Sequence, residues 1–241
     1  MLKQRFLIVL ILSLLCSSRS RAQSHLELYV PGDDEIFPMY VPAHLESKDS
    51  WLGVYSREAR KAILLTSHIR ASNPHCPAPL PSCQPDDKRV KIEITNNLNH
   101  EQPIMLLRGY AFAENQEIDV VSLSGSGYVG VEGSSVTFSW HAKDYRIEAR
   151  KKTVKETDNP GSFDLFFTNG PISQRLAVEG FFDEPKFELR WAGDLDRDGK
   201  PDLLMNMSPK YSYSIFVLFL SSKAQTGQLV GKAASQKLSG E

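Results

Sequence analysis

The sequence predicts an all-β protein, an antiparallel sandwich or a barrel-like fold. Apolar and polar residues alternate with period two through most of the chain. The alternating runs are short and rich in β-branched and aromatic residues, and turn-forming clusters separate them.

In order, the expected strands are "WLGVYS", "AILLTSHI", "VKIEIT", "IMLLRGYAF", "IDVVSLS", "VTFSWHA", "YRIEAR", "FDLFFTN", "RLAVEG", "FELRW" and "IFVLFLSS". Between them lie "TNNLNHEQP", "SGSGYVG", "TDNPGS", "TNGP" and "FDEPK", which carry the Gly, Pro, Asn and Asp of turns. In "VKIEI", Val90, Ile92 and Ile94 should face a core while Lys91 and Glu93 face water; "FELRW" repeats this with Phe187, Leu189 and Trp191 inward. Only "DSWLGVYSREARKAILL" leaves room for a helical turn, around residues 56–62. The run "SIFVLFL" is too short to cross a bilayer and reads as a buried strand. No repeat period covers the chain, which argues against a complete β-propeller. The polar stretch 149–162 is either a linker between two β-layers or, the favoured reading, a long hairpin.

The first 24 residues read as a secretory signal peptide. Lys3 and Arg5 precede the apolar run "FLIVLILSLLC", and small residues place cleavage after Ala22 or after Ser24. A lipid anchor on Cys16 is disfavoured, because Leu14 and Leu15 stand where small residues would be needed. Removing residues 1–24 takes Lys3, Arg5, Arg19 and Arg21 from the 28 basic residues and none of the 29 acidic ones, leaving a net charge of −5. With no basic stripe, the mature chain (25–241, read as one β-rich domain) is a poor partner for nucleic acid, and it retains no transmembrane segment.

Two cysteines survive processing, Cys76 and Cys83, in the proline-rich loop "HCPAPLPSCQP". In an oxidising compartment they are expected to pair. A loop this short gains at most about 2.5 kcal/mol from closure, and less where prolines already stiffen it. A zinc site with His75 lacks a fourth ligand.

The strongest chemical signal is "GDLDRDGKPDLL". Counted from Asp194, carboxylates fall at positions 1, 3, 5 and 9 (Asp194, Asp196, Asp198 and Asp202), Gly199 is at 6, and Lys200 at 7 offers its carbonyl. Calcium takes six to eight oxygens, and alternate side chains around a tight turn converge on such a point. Leu195 and Arg197 then point outward. The loop starts as an EF-hand does, but Met205 replaces the glutamate at position 12 and the flanks alternate as strands. A solvated acidic turn that binds nothing is the alternative. A catalytic metal would need open positions and further titratable groups, which the neighbouring sequence does not supply.

At these residues the chain resembles a known family. "AGDLDRDGKPDLLM", followed by "IFVLFLSSKA", is similar to one FG-GAP (VCBS-type) repeat over residues 190–228. The resemblance implies a calcium hairpin whose ligands are Asp194, Asp196, Asp198, Asp202 and the Lys200 carbonyl. Propellers of that family carry several repeats, and one is present here.

Other motifs point less far. "GSGYVG" matches a dinucleotide-binding fingerprint through Gly125, Gly127 and Gly130, but strands rather than a helix follow it, so a glycine-rich hairpin is expected. The six histidines show no metal-pair spacing; His68 and His141 are expected in strands. "NMS" at 206–208 is formally a glycosylation sequon. No nucleophile elbow is present, although a triad assembled across strands leaves no local signature. Together these features point to a periplasmic or secreted calcium-binding protein that contacts protein or glycan of the cell envelope, with Tyr110, Tyr128, Trp140, Tyr211 and Tyr213 as candidate contact aromatics. A secreted hydrolase with a structural calcium is the alternative.

Overall fold

The computed structural model describes residues 25–31, 50–58, 60–72, 91–96, 102–109, 112, 114–123, 125–151, 163–176, 185–210 and 213–239. The signal segment, the Cys76 and Cys83 loop, Tyr110 and Tyr211 lie outside them.

Over the described residues the chain is all-β, with three antiparallel sheets. The first holds β1 (Glu27–Tyr29), β2 (Trp51–Glu58), β3 (Lys61–Ser72), β4 (Lys91–Asn96), β5 (Met105–Arg108) and β6 (Glu117–Asp119), in the order β1-β5-β2-β3-β4 with β6 also on β3. The second is the meander β7 (Ser135–Trp140), β8 (Lys143–Lys151), β9 (Phe163–Asn169) and β10 (Ile172–Leu176). The third is the meander β11 (Lys186–Gly193), β12 (Asp202–Ser208), β13 (Tyr213–Leu220) and β14 (Gly231–Ser239). Among the described residues there is no α-helix; one 3₁₀ turn, Ser221–Lys223, follows β13.

The third sheet is the middle layer. Leu203, Met205, Val217 and Phe219 pack with Ile147, Leu165 and Phe167 of the second sheet. Their neighbours Leu204, Phe216, Leu218 and Leu220 pack with Val54, Leu64 and Met105 of the first. Period two therefore sends alternate side chains into two different cores. A strand covered on both faces has no need of polar positions, which is why "IFVLFL" is continuously apolar and all seven residues of β12 are buried.

A bulge in β11 between Leu189 and Trp191 changes the expected pattern there. Phe187, Leu189 and Trp191 are all buried, as the alternation predicts. The extra residue, however, turns Trp191 to the opposite face, so it joins the first-sheet core while Phe187 and Leu189 stay in the other. Ile94 packs against Tyr29, Trp51 and Leu106.

Several expectations are corrected. The helical turn around 56–62 is a tight reversal between β2 and β3, whose pairing runs to Glu58↔Lys61. By contrast, the favoured reading of 149–162 as a long hairpin agrees with the antiparallel pairing of β8 and β9 on either side of it, from Arg146↔Thr168 to Lys151↔Phe163. The glycine segment is not a hairpin: it crosses from β6 in the first sheet to β7 in the second. On the way it lies along β11 through a Tyr128↔Glu188 bridge.

His141 is not in a strand. It and Ala142 form the two-residue loop between Trp140 and Lys143, with φ of 46° and 61°. Positive φ at both loop positions defines a type I′ turn. Neither residue is the Asn or Gly that would have announced it. His68 is exposed on β3. Of the candidate contact aromatics, Trp140 is buried, Tyr213 is half-buried and Tyr128 is exposed. Asn206 is buried, its side chain accepting the Ser208 backbone N–H at 3.1 Å, which removes the sequon from solvent.

Candidate metal centre

The aspartate loop joins β11 to β12 at the meeting point of all three sheets. The backbone N–H of Asp194 donates to the carbonyl of Asp119 in β6 at 3.0 Å, and the N–H of Val121 donates to the Ala192 carbonyl at 2.8 Å. From the second sheet, the Trp140 indole N–H donates to the Gly199 carbonyl at 3.1 Å. Gly199 has a φ of 82°, and a side chain there would meet open space. Its glycine is required by backbone conformation and not by crowding.

Within the loop, the two oxygens of Asp194 accept the N–H groups of Asp198 and Gly199, each at 3.0 Å. Asp202 begins β12 and is fully buried. Its Oδ2 accepts the N–H of Leu195 at 2.8 Å, and its Oδ1 accepts the N–H of Ser221 at 2.7 Å. Leu195 points away from the carboxylates but not to water: it is wholly buried in the core shared with the first sheet and pins the loop there. Arg197 is exposed.

Asp194, Asp196 and Asp202 converge, each placing a carboxylate oxygen within 4.8 Å of the others. Two oxygens on one calcium ion are separated by no more than twice the metal–oxygen distance, about 4.6–5.2 Å, so one ion can hold all three. Asp198 does not join the group: its Oδ1 accepts the Lys200 N–H at 2.9 Å and its Oδ2 lies 4.0 Å from the Lys200 ammonium.

The charges in this group are costly without a counterion. Burial pushes the Asp202 carboxyl up to about 8, with the Asp196 carboxylate adding and the N–H groups of Ser221 and Leu195 opposing. Burial also raises Asp194, opposed by the Gly199 N–H. Oδ1 of Asp196 is buried with no hydrogen-bond donor among the described residues. A buried carboxylate oxygen without a donor, on a side chain grouped with two other carboxylates, is the arrangement a cation satisfies. The donor set, all hard oxygen, suits a hard divalent ion. Both oxygens of Asp194 and Oδ1 of Asp202 accept one N–H each and keep a second lone pair for it, while Asp202 Oδ2 also accepts the Asp196 N–H at 3.4 Å.

Two contributors are invisible in the loop motif. The Ser222 hydroxyl donates to Asp196 Oδ2, and the Ser221 N–H holds Asp202. Both come from the 3₁₀ turn after β13, brought alongside by strand pairing. The sequence signal, two serines closing an apolar run, is too common to single them out.

A cavity of about 730 Å³ lies beside the loop, between residues 119–122 and the end of β7, and Ser139, His141 and Asp144 line it. Ser139 and Asp144 share a hydrogen bond of 2.7 Å, and the His141 ring stacks on Trp140 with centroids 4.8 Å apart. The hydroxyl is thus engaged by the carboxylate, without the imidazole between them that a relay requires. No protein-family model matches the chain, and comparison with curated proteins and with solved structures returns no significant match.

Proposed function

We propose that this is an exported β-protein stabilised by calcium, acting as a binding module at the cell envelope or exterior through contacts with protein or glycan. The observation that carries the calcium part is the donorless Oδ1 of Asp196 beside Asp194 and Asp202. The proposed ligands are Asp194, Asp196, Asp198, Asp202 and the Lys200 carbonyl, with Asp198 drawn in when the ion binds. The ion's role is structural: it neutralises a loop on which all three sheets converge. Extracellular calcium, near millimolar, fills even a weak site of this kind.

The test is thermal unfolding of the wild type, Asp196→Asn and Asp198→Ala in chelator and in millimolar calcium. An ion 100-fold above its Kd contributes about 2.7 kcal/mol, which for a chain of this size raises Tm by roughly 5–10 °C. The wild type should show that rise and both variants should lose most of it. A wild type that melts identically in the two buffers refutes calcium binding. The alternative, a secreted hydrolase, draws on the cavity holding Ser139, His141 and Asp144. Covalent labelling of Ser139 by a fluorophosphonate would favour it.

A further inference from the structure

The cavity beside the loop meets β7 along its edge. On a sheet face only alternate residues would line it, yet the whole run 137–141 does, with the run 119–122 opposite. The register identifies which main-chain groups that edge presents. Around the two-residue turn, Trp140 and Lys143 form the closing hydrogen-bonded pair, so hydrogen-bonded pairs recur at Phe138↔Tyr145 and Val136↔Ile147. The N–H and C=O groups of Thr137 and Ser139 therefore point away from β8, toward the cavity.

β7 ends its sheet, and no strand pairs with its outer side among the described residues. The corresponding edge at β11 is covered, by bridges Val120↔Gly193 and Tyr128↔Glu188. An uncovered edge with main-chain donors and acceptors at two-residue spacing is complementary to another extended chain. The volume falls within the roughly 300–1,000 Å³ of ordinary ligand sites.

We propose that the cavity is a peptide-binding cleft, in which an uncharged extended segment of a partner protein adds as a strand to the free edge of β7. This rests on the binding-module reading and gives it a site and a partner class. The charges at the cleft leave neither sign dominant: Arg60 stands against Asp119 and Asp144, which are engaged by Lys61 at 2.5 Å and by Ser139. The hydroxyls of Ser122, Thr137 and Ser139 suit small polar side chains. Both walls are fastened to the aspartate loop, one through Asp119 and the other through Trp140, so an occupied metal loop holds the cleft at fixed width.

The experiment uses a displayed library of random short peptides selected on the calcium-loaded protein, with isotope-labelled protein reporting where the selected peptide binds. The expected result is perturbation of the Thr137 and Ser139 amides. N-methylation of the peptide at alternate residues should weaken binding about five- to tenfold per lost main-chain bond, while methylation at intervening residues does little. Thr137→Pro, which deletes an outward N–H and spares the ladder to β8, should weaken binding similarly. The proposal is overturned if no selected peptide perturbs those amides, if N-methylation has no alternating effect, or if chitotriose or cellotriose binds the cleft instead. A peptide bound at β7 in a protein whose melting ignores calcium supports the cleft and refutes the metal reading. A calcium-dependent melt with no peptide at β7 does the reverse.

Discussion

The Asp202 carboxylate accepts the Ser221 backbone N–H at 2.7 Å, tying the first residue of β12 to the turn that follows β13. Its other oxygen holds the N–H of Leu195, so one buried side chain organises both the loop and the neighbouring strand end. That arrangement makes ion-free stability depend on pH. Folded Asp202 titrates near 8 and its unfolded counterpart near 3.8, so between those values the native state holds a proton that the unfolded state has released. Stability in chelator should fall as pH rises through this window and level off above it. The raised Asp194 adds in the same direction. Urea unfolding in chelator at pH 5 and pH 8 reads the slope. Asp202→Asn should remove most of it, while costing about 1–3 kcal/mol because an amide NH₂ then opposes a backbone N–H.

Two glycines of the loop region should resist alanine for different physical reasons. A Cβ on Gly193 would lie 2.6 Å from the Asp119 carbonyl oxygen, a backbone atom of another sheet that cannot swing aside. Gly193→Ala should cost about 1–3 kcal/mol. At Gly199 the space is open and the φ of 82° alone resists, so Gly199→Ala should cost roughly 1–2 kcal/mol. Chemical denaturation of the two variants in calcium reads both losses. In addition, Gly193→Ala should shift the amide resonances of residues 119–121, whereas Gly199→Ala should leave them in place.

The β7–β8 turn is strained by its own residues. His141 and Ala142 both adopt left-handed backbone conformations. Replacing the pair with Asn-Gly, which such turns favour, should stabilise by about 1 kcal/mol. The expected readout is a higher urea midpoint at unchanged slope.

Gln174 is a buried amide that joins the second and third sheets. Its Nε2 donates to the Val230 carbonyl at 2.7 Å, and its Oε1 accepts the N–H groups of Leu229 and Val230 at 2.8 and 3.0 Å. Gln174→Ala strands those backbone groups, and the loss should be about 2–4 kcal/mol. Hydrogen exchange at Val230 should accelerate along with global destabilisation in urea.

Much of this fold was legible because burial leaves a periodic trace. The alternating strands and the continuous β13 could be read directly. The strands β1 and β14 and the first three residues of β10 could not: "GKAASQKLS" is poor in β-branched and aromatic residues and is a strand because β13 supplies a partner from Tyr213↔Ser239 to Leu220↔Gly231. The reversal at 56–62 was hidden because charged residues on a tight turn resemble a helical face. The aspartate triad was legible because its residues are close in sequence. The Ser222 hydroxyl, the Asp119 carbonyl and the Trp140 indole come from other strands and leave no local mark.

A sheet enclosed on both sides has no tolerant face. In β10, Ser173 and Arg175 meet water and can exchange for many polar residues, while Gln174 and Leu176, which alternate with them, cannot. In β12 every position from Asp202 to Ser208 is surrounded, so an exchange must match volume on one side or the other. Descendants of one ancestor should therefore drift at alternate sites in the outer strands and scarcely at all in this one. Distant kin of the chain would be recognised by residues 202–208, and by the carboxylate that opens them.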